Sequence, residues 1–172
     1  LETTAPMASP ENGGCELNNE QDARYPVNID KLWHRDTAHS NLALALAAVP
    51  PPSDRDRVRI AHLDTGYDPA QVTRPQYLNT ALARNFVDAN SPNDATDQSS
   101  GIFNNLGHGT GTLSILAGRQ AEGLAFGAIP FAEVIPLRVA NRAVLFSNSS
   151  IARALDYVHS LCAKPETFVD VV

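Results

Sequence analysis

The sequence predicts an α/β protein: a mostly parallel, doubly wound sheet with helices on both faces. Three observations carry that prediction. Apolar runs of strand length alternate with stretches of helical periodicity, the order that a wound parallel sheet requires. The first strong strand, residues 58–64, runs directly into Asp64-Thr65-Gly66, and the carboxyl ends of strands are where open α/β sheets meet their ligands. Hydrophobic residues at 43% against charged residues at 19% fit a globular chain, and 172 residues suffice for one domain with a core.

The elements follow in order. Residues 1–24 are polar and carry little periodicity, so 1–27 is expected to be a loose N-terminal arm and 28–172 the folded part. Residues 28–49 have room for one or two helices. The stretch NLALALAAVPPP, 41–52, reads as a packed surface helix stopped by three prolines, and DRDR, 54–57, as a charged turn. In VRIAHLD, 58–64, Val58, Ile60 and Leu63 mark a strand entering a buried sheet. ARNFVD, 83–88, is a second short strand. The Asn-, Asp-, Ser- and Pro-rich segment 89–106 is a long loop, a kind that is often functional. HGTGTLSILAG predicts a helix with Leu113, Leu116 and Ala117 on its apolar stripe and Gly118 as its stop. AEVIPLRVA, 132–140, is a strand. Residues 149–163 form an amphipathic helix through Ile151, Ala154, Leu155, Val158 and Leu161, capped by Ser147, Asn148 or Ser149. FVDVV, 168–172, opens a further strand. Crossovers between parallel strands should be right-handed.

Composition narrows the function. The formal net charge is −6 and no Lys/Arg run occurs, which argues against nucleic acid as a partner. No apolar stretch reaches the roughly 18 residues of a membrane helix, and 41–52 lies too far inside the chain for a signal peptide. The chain opens on Leu1, which implies removal of N-terminal sequence and leaves a targeting segment ahead of it open. Cys15 and Cys162 are too few for a disulfide framework. Cys162 falls in an apolar helical pattern and reads as a buried thiol, with a Cys15–Cys162 bridge as the alternative.

Two short stretches carry chemistry. Asp64 ends a strand in IAHLDTGYDP, and His108 stands between Gly107 and Gly109 at a helix start in NNLGHGTGTLSILAG. A helix N-terminus favours the neutral, proton-accepting imidazole, and the flanking glycines allow close approach of other chain segments. An Asp that accepts Nδ1–H of a His fixes its tautomer and leaves the other ring nitrogen to take a proton from a nucleophile. Asp68 reads as a turn residue. His62 reads as core or sheet surface, because it alternates with the apolar positions. His34, His39 and His159 read as surface histidines.

LDTGYD and GHGTGTLSILAG together resemble the Asp and His motifs of the subtilisin-like serine peptidases, the subtilases, in the family's chain order of Asp, His and Ser. The resemblance covers roughly residues 28–172, with an enlarged loop between the two motifs. It implies a serine endopeptidase in which Asp64 is the orienting acid and His108 the general base. The family's Gly-Thr-Ser-Met-Ala motif is absent, and the last serine, Ser160, lies within the 149–163 helix. The oxyanion-hole Asn is expected to be missing with it. Gly111 stands where many members have a second, non-catalytic His. The chain is therefore expected to be the N-terminal part of a longer peptidase domain, inactive alone, its partner being the remainder of the domain or another copy of the chain.

The resemblance also implies a peptide or protein substrate, which AVLFS, 143–147, would pair with as an edge strand through Val144, Leu145 and Phe146; the alternative for this segment is a plain hydrophobic loop anchor. Secretion or a periplasmic location rests on the resemblance alone. No cofactor is expected. Calcium, common in subtilase loops, has candidate oxygen ligands in Asp88, Asp94, Asp97 and Asn104, without a fixed ligand spacing. The competing function is a non-catalytic subtilase-like module that binds peptides or a partner. A nucleotide-binding domain is disfavoured, since neither G-x-G-x-x-G after the first strand nor G-x-x-x-x-G-K-[ST] occurs.

Overall fold

The computed structural model describes residues 35, 37–54, 56–99, 105–121, 124–142 and 148–172. In chain order its elements are α1 (Leu42–Ala48), β1 (Arg59–Asp64), β2 (Tyr77–Leu78), β3 (Arg84–Asn85), α2 (His108–Ala117), β4 (Gln120–Ala121), β5 (Leu124–Ala125), β6 (Glu133–Arg138) and α3 (Ser149–Cys162), with a 3-10 turn at Pro165–Thr167.

β6, the strand with the most continuous apolar run, lies at the centre. Val134, Ile135 and Leu137 are fully enclosed, as expected of a parallel strand covered on both sides. β1 pairs with β6 along its whole length, from Arg59 opposite Glu133 to Asp64 opposite Arg138. The other flank of β6 is shared: β2 pairs at Glu133 and Val134, and β3 at Leu137 and Arg138. All three pairings are parallel, so Asp64, Asn85 and Arg138 reach the carboxyl end of the sheet together.

Adjacent strand residues leave a sheet on opposite faces, and the core divides accordingly. Ile60 and Val134 pack with Leu113 and Ala117 of α2, and with Tyr67, Ala83, Ala95 and Ala132. Ala61, Ile135 and Leu137 pack with Ala154, Val158 and Leu161 of α3, and with Val139 and Val169.

Several elements differ from the sequence reading. α1 forms but buries none of its residues, and Leu44 is 59% exposed. Its leucines recur every second residue, which spreads them around a helix instead of gathering them into one stripe. The strand expected over 83–88 stops at Asn85. The Asn85 side-chain carbonyl accepts the amides of Val87 and Asp88 at 2.9 and 3.0 Å, a local turn that competes with the ladder. Residues 168–172 contribute a single parallel bridge, Val171 beside Ile60, rather than a full strand. Val58 and Leu155 are largely exposed, although the periodicity assigned both to the core. Cys162 is partly buried, its thiol 3.7 Å from the Val169 carbonyl. Cys15 and its bridge, the N-terminal arm and His34 lie outside the described residues. Asn148 is the N-cap of α3, without a side-chain capping bond. The short β2 and the antiparallel β4–β5 pair were not anticipated; two-residue strands leave no periodic signal. No helix among the described residues is long and apolar enough to cross a membrane.

Candidate active site

β1 delivers Asp64 to the end of the sheet, and the chain turns at once through Thr65 and Gly66. Gly66 has φ 110°, and a Cβ there would lie 2.6 Å from the Ala95 carbonyl oxygen. Only glycine meets both demands. α2 starts at His108 behind Gly107, which has φ 88°. A Cβ at Gly109 would overlap the Gly66 carbonyl oxygen and approach Asp64 Cβ to 3.1 Å. The first turn of α2 is thus seated directly against the end of β1.

Polar contacts fix this junction. The Thr65 hydroxyl donates to Asp97 Oδ2 at 3.1 Å and accepts the Gly109 amide at 3.1 Å. Asp97 Oδ2 also accepts the Gly107 amide at 2.8 Å. Asp97 therefore ties the turn after β1 to the start of α2, a role the sequence did not reveal. Asp68 is a turn residue as expected: its carboxylate accepts the Ala70 amide, and its own amide donates to Thr110 Oγ1.

Within this frame His108 Nδ1 lies 2.7 Å from Asp64 Oδ1, across 44 residues of sequence. The Asp64 side chain is 12% exposed and that of His108 41%. The acid is sheltered while the imidazole keeps an open edge. Asp64 Oδ1 also accepts the Thr65 amide at 2.7 Å, and Oδ2 accepts the Thr112 hydroxyl at 3.0 Å. Burial pushes the Asp64 carboxyl up. The hydrogen bonds from His108 and Thr65, with the charges of His62 and His108, outweigh it, and the carboxyl ends below its ordinary value. Asp64 is therefore an anion at neutral pH, able to hold Nδ1–H and to stabilise an imidazolium.

Sequence reasoning missed two further neighbours. His62 Nε2 is 3.0 Å from Thr112 Oγ1 and 3.7 Å from Asp64 Oδ2. Burial holds the His62 imidazole below its ordinary value, against the pull of the Asp64 charge and reinforced by that of His108. The signal was available in the spacing. His62 is two residues before Asp64, on the same face of a strand, and Thr112 is four after His108, on the same face of a helix.

The other candidates do not join this cluster. Asp94 Oδ1 accepts both the amide and the hydroxyl of Thr96, and Asp94 Oδ2 accepts the Gln98 amide group. Asp88 accepts the Asn90 amide, and Asp97 accepts Ser99 besides Thr65 and Gly107. Asp88 and Asp94 are engaged by donors of their own loop, Asp97 by donors from two elements as well, and among the described residues no group of three His, Cys, Asp or Glu side chains is placed to hold a metal ion. Asn104 and the segment 143–147, with Val144, Leu145 and Phe146, lie outside the described residues. His39 and His159 are exposed.

A carboxylate at the end of a parallel strand, bonded to an imidazole at a helix start, can orient that ring and support its taking up a proton. The model of the Subtilase family matches residues 55–171 of the chain. The chain belongs to the subtilase family, whose members are serine peptidases. No curated protein and no solved structure matches it.

Proposed function

We propose that the chain carries the acid and the base of a subtilisin-type serine endopeptidase, Asp64 and His108, acting on peptides or proteins by an Asp-His-Ser triad. The observation that carries the reading is the 2.7 Å contact between His108 Nδ1 and the sheltered Asp64 carboxylate. Asp64 accepts Nδ1–H, which leaves Nε2 unprotonated. Nε2 takes the proton of a serine hydroxyl as that oxygen attacks the scissile carbonyl, then returns it to the leaving amine. The segment around Val144, Leu145 and Phe146 is the proposed strand partner of the substrate backbone. The scaffold on this reading is a doubly wound sheet with helices on both faces, supported by the separate core clusters of α2 and α3. The nucleophile comes from the remainder of the domain.

The competing reading is a peptide-binding module without turnover. The product of the complete reading frame separates the two. Hydrolysis of a fluorogenic peptide that is blocked by a fluorophosphonate and lost in both Asp64→Asn and His108→Ala supports the peptidase. Peptide binding with no turnover and no fluorophosphonate labelling supports the module.

A further inference from the structure

Asp64 Oδ1 is occupied by His108 and Thr65, and the carboxylate's other oxygen meets a second pair of polar side chains. Thr112 Oγ1 lies 3.0 Å from Asp64 Oδ2 and 3.0 Å from His62 Nε2. It is also within 3.1 Å of the Gly109 carbonyl and 3.3 Å of the His108 carbonyl. A threonine hydroxyl has one proton to donate. Given to a backbone carbonyl or to His62, that proton would leave Oδ2 facing a hydroxyl lone pair. Given to Oδ2, it makes a charge-assisted bond, and His62 must then be the donor to Thr112, carrying its proton on Nε2. This arrangement alone satisfies Oδ2, the hydroxyl and the ring nitrogen together.

We infer that Thr112 and His62 are positioning residues, a two-step brace that fixes the plane of the Asp64 carboxylate so that Oδ1 stays aimed at His108. His62 lies too far from Oδ2 to bond it directly at 3.7 Å, so it acts through Thr112. The titratable groups facing His62 are Asp64 and His108, and burial disfavours the charged form of the ring. Without the Thr112 hydroxyl, only the Oδ1 contacts restrain rotation of the carboxylate. The inference rests on the reading of Asp64 and His108 as acid and base.

Imidazole-¹⁵N-labelled protein tests it by NMR. In the unaltered protein His62 should be the Nε2–H tautomer, and the His108 Nδ1 proton should give a resolved downfield resonance. Thr112→Val keeps the side-chain shape and removes the hydroxyl. It should broaden that resonance away or raise its exchange rate about tenfold, the weight of one charge-assisted hydrogen bond. Thr112→Ser should retain it. His62→Gln, whose amide can still donate, should retain it, and His62→Phe should lose it. A His62 protonated on Nδ1, or a resonance indifferent to Thr112→Val, overturns the brace alone. Absence of the resonance from the unaltered protein overturns the brace and the Asp64–His108 reading together.

Discussion

Gly109 and Gly111 are two residues apart on one helix and make opposite demands. A Cβ at Gly109 would overlap the Gly66 carbonyl oxygen and crowd Asp64, whereas a Cβ at Gly111 meets nothing within 4 Å. Gly109→Ala should therefore cost about 1–3 kcal/mol, as overpacking against fixed backbone does, and should displace His108 from Asp64. Gly111→Ala should raise stability by about 0.5–1 kcal/mol, because it only removes the entropy penalty of glycine in a helix. Urea titrations of the two variants check both signs. His62 adds a pH dependence of definite direction. Its folded value lies below the ordinary one, chiefly through burial, with Asp64 opposing and His108 reinforcing. On acidification the unfolded chain takes up the proton first. The stability this group contributes is thus complete above about pH 6.5 and drains as the pH falls below it. Asp64, also depressed, adds a loss in the same direction at lower pH, in the carboxylate range. Between about pH 7.5 and 5.5, then, the parent should lose more stability than His62→Gln, which does not titrate. Equal losses in urea melts at the two pH values would refute the assignment of His62 as a buried neutral ring.

At the scale of elements, strong periodicity was legible and local competition was not. β1, α2, β6 and α3 stand where alternation or helical spacing placed them, because each buries a defined face against the others. The end of β3 was hidden, since it depends on where the Asn85 side chain spends its carbonyl. Solvation of α1 was hidden as well, because a run of Leu and Ala looks apolar whether or not its leucines share a face. The Asp64–His108 pairing was legible as two motifs in order. The roles of Asp97, Thr112 and His62 needed three dimensions, since they depend on which loop and helix meet the end of β1. α3 offers a quantitative check. The spacing placed Leu155 and Leu161 on one stripe, yet Leu161 is 7% exposed and Leu155 46%. Leu161→Ala should cost about 2–4 kcal/mol through lost burial and the cavity left behind. Leu155→Ala should stay within about 0.5 kcal/mol, as surface changes do. Comparable losses in thermal melts of the two variants would mean that α3 packs through a different face.

At the scale of the whole molecule, the question is what these 172 residues can do by themselves. Asp64 and His108 can orient and accept a proton, but neither is the group that forms an acyl-enzyme in the proposed reaction. That step needs a serine oxygen within about 3 Å of the His108 ring. Ser114 is buried within α2, its hydroxyl bonded to the Thr110 carbonyl and to Thr73. Ser160 donates to the Tyr157 carbonyl on α3. Neither serine faces the imidazole. Loss of a triad nucleophile costs on the order of 10⁶ in turnover, a figure from subtilisin, itself a subtilase. Loss of an oxyanion donor costs about 10²–10³, but residues of a triad act as a unit, so the factors do not multiply and the nucleophile alone decides the outcome. The 172-residue chain, incubated with unfolded casein or a fluorogenic peptide, should therefore turn over at background, and His108→Ala should change nothing. Turnover that His108→Ala abolishes would require one of these 172 residues to supply the nucleophile, and would relocate the centre of the site.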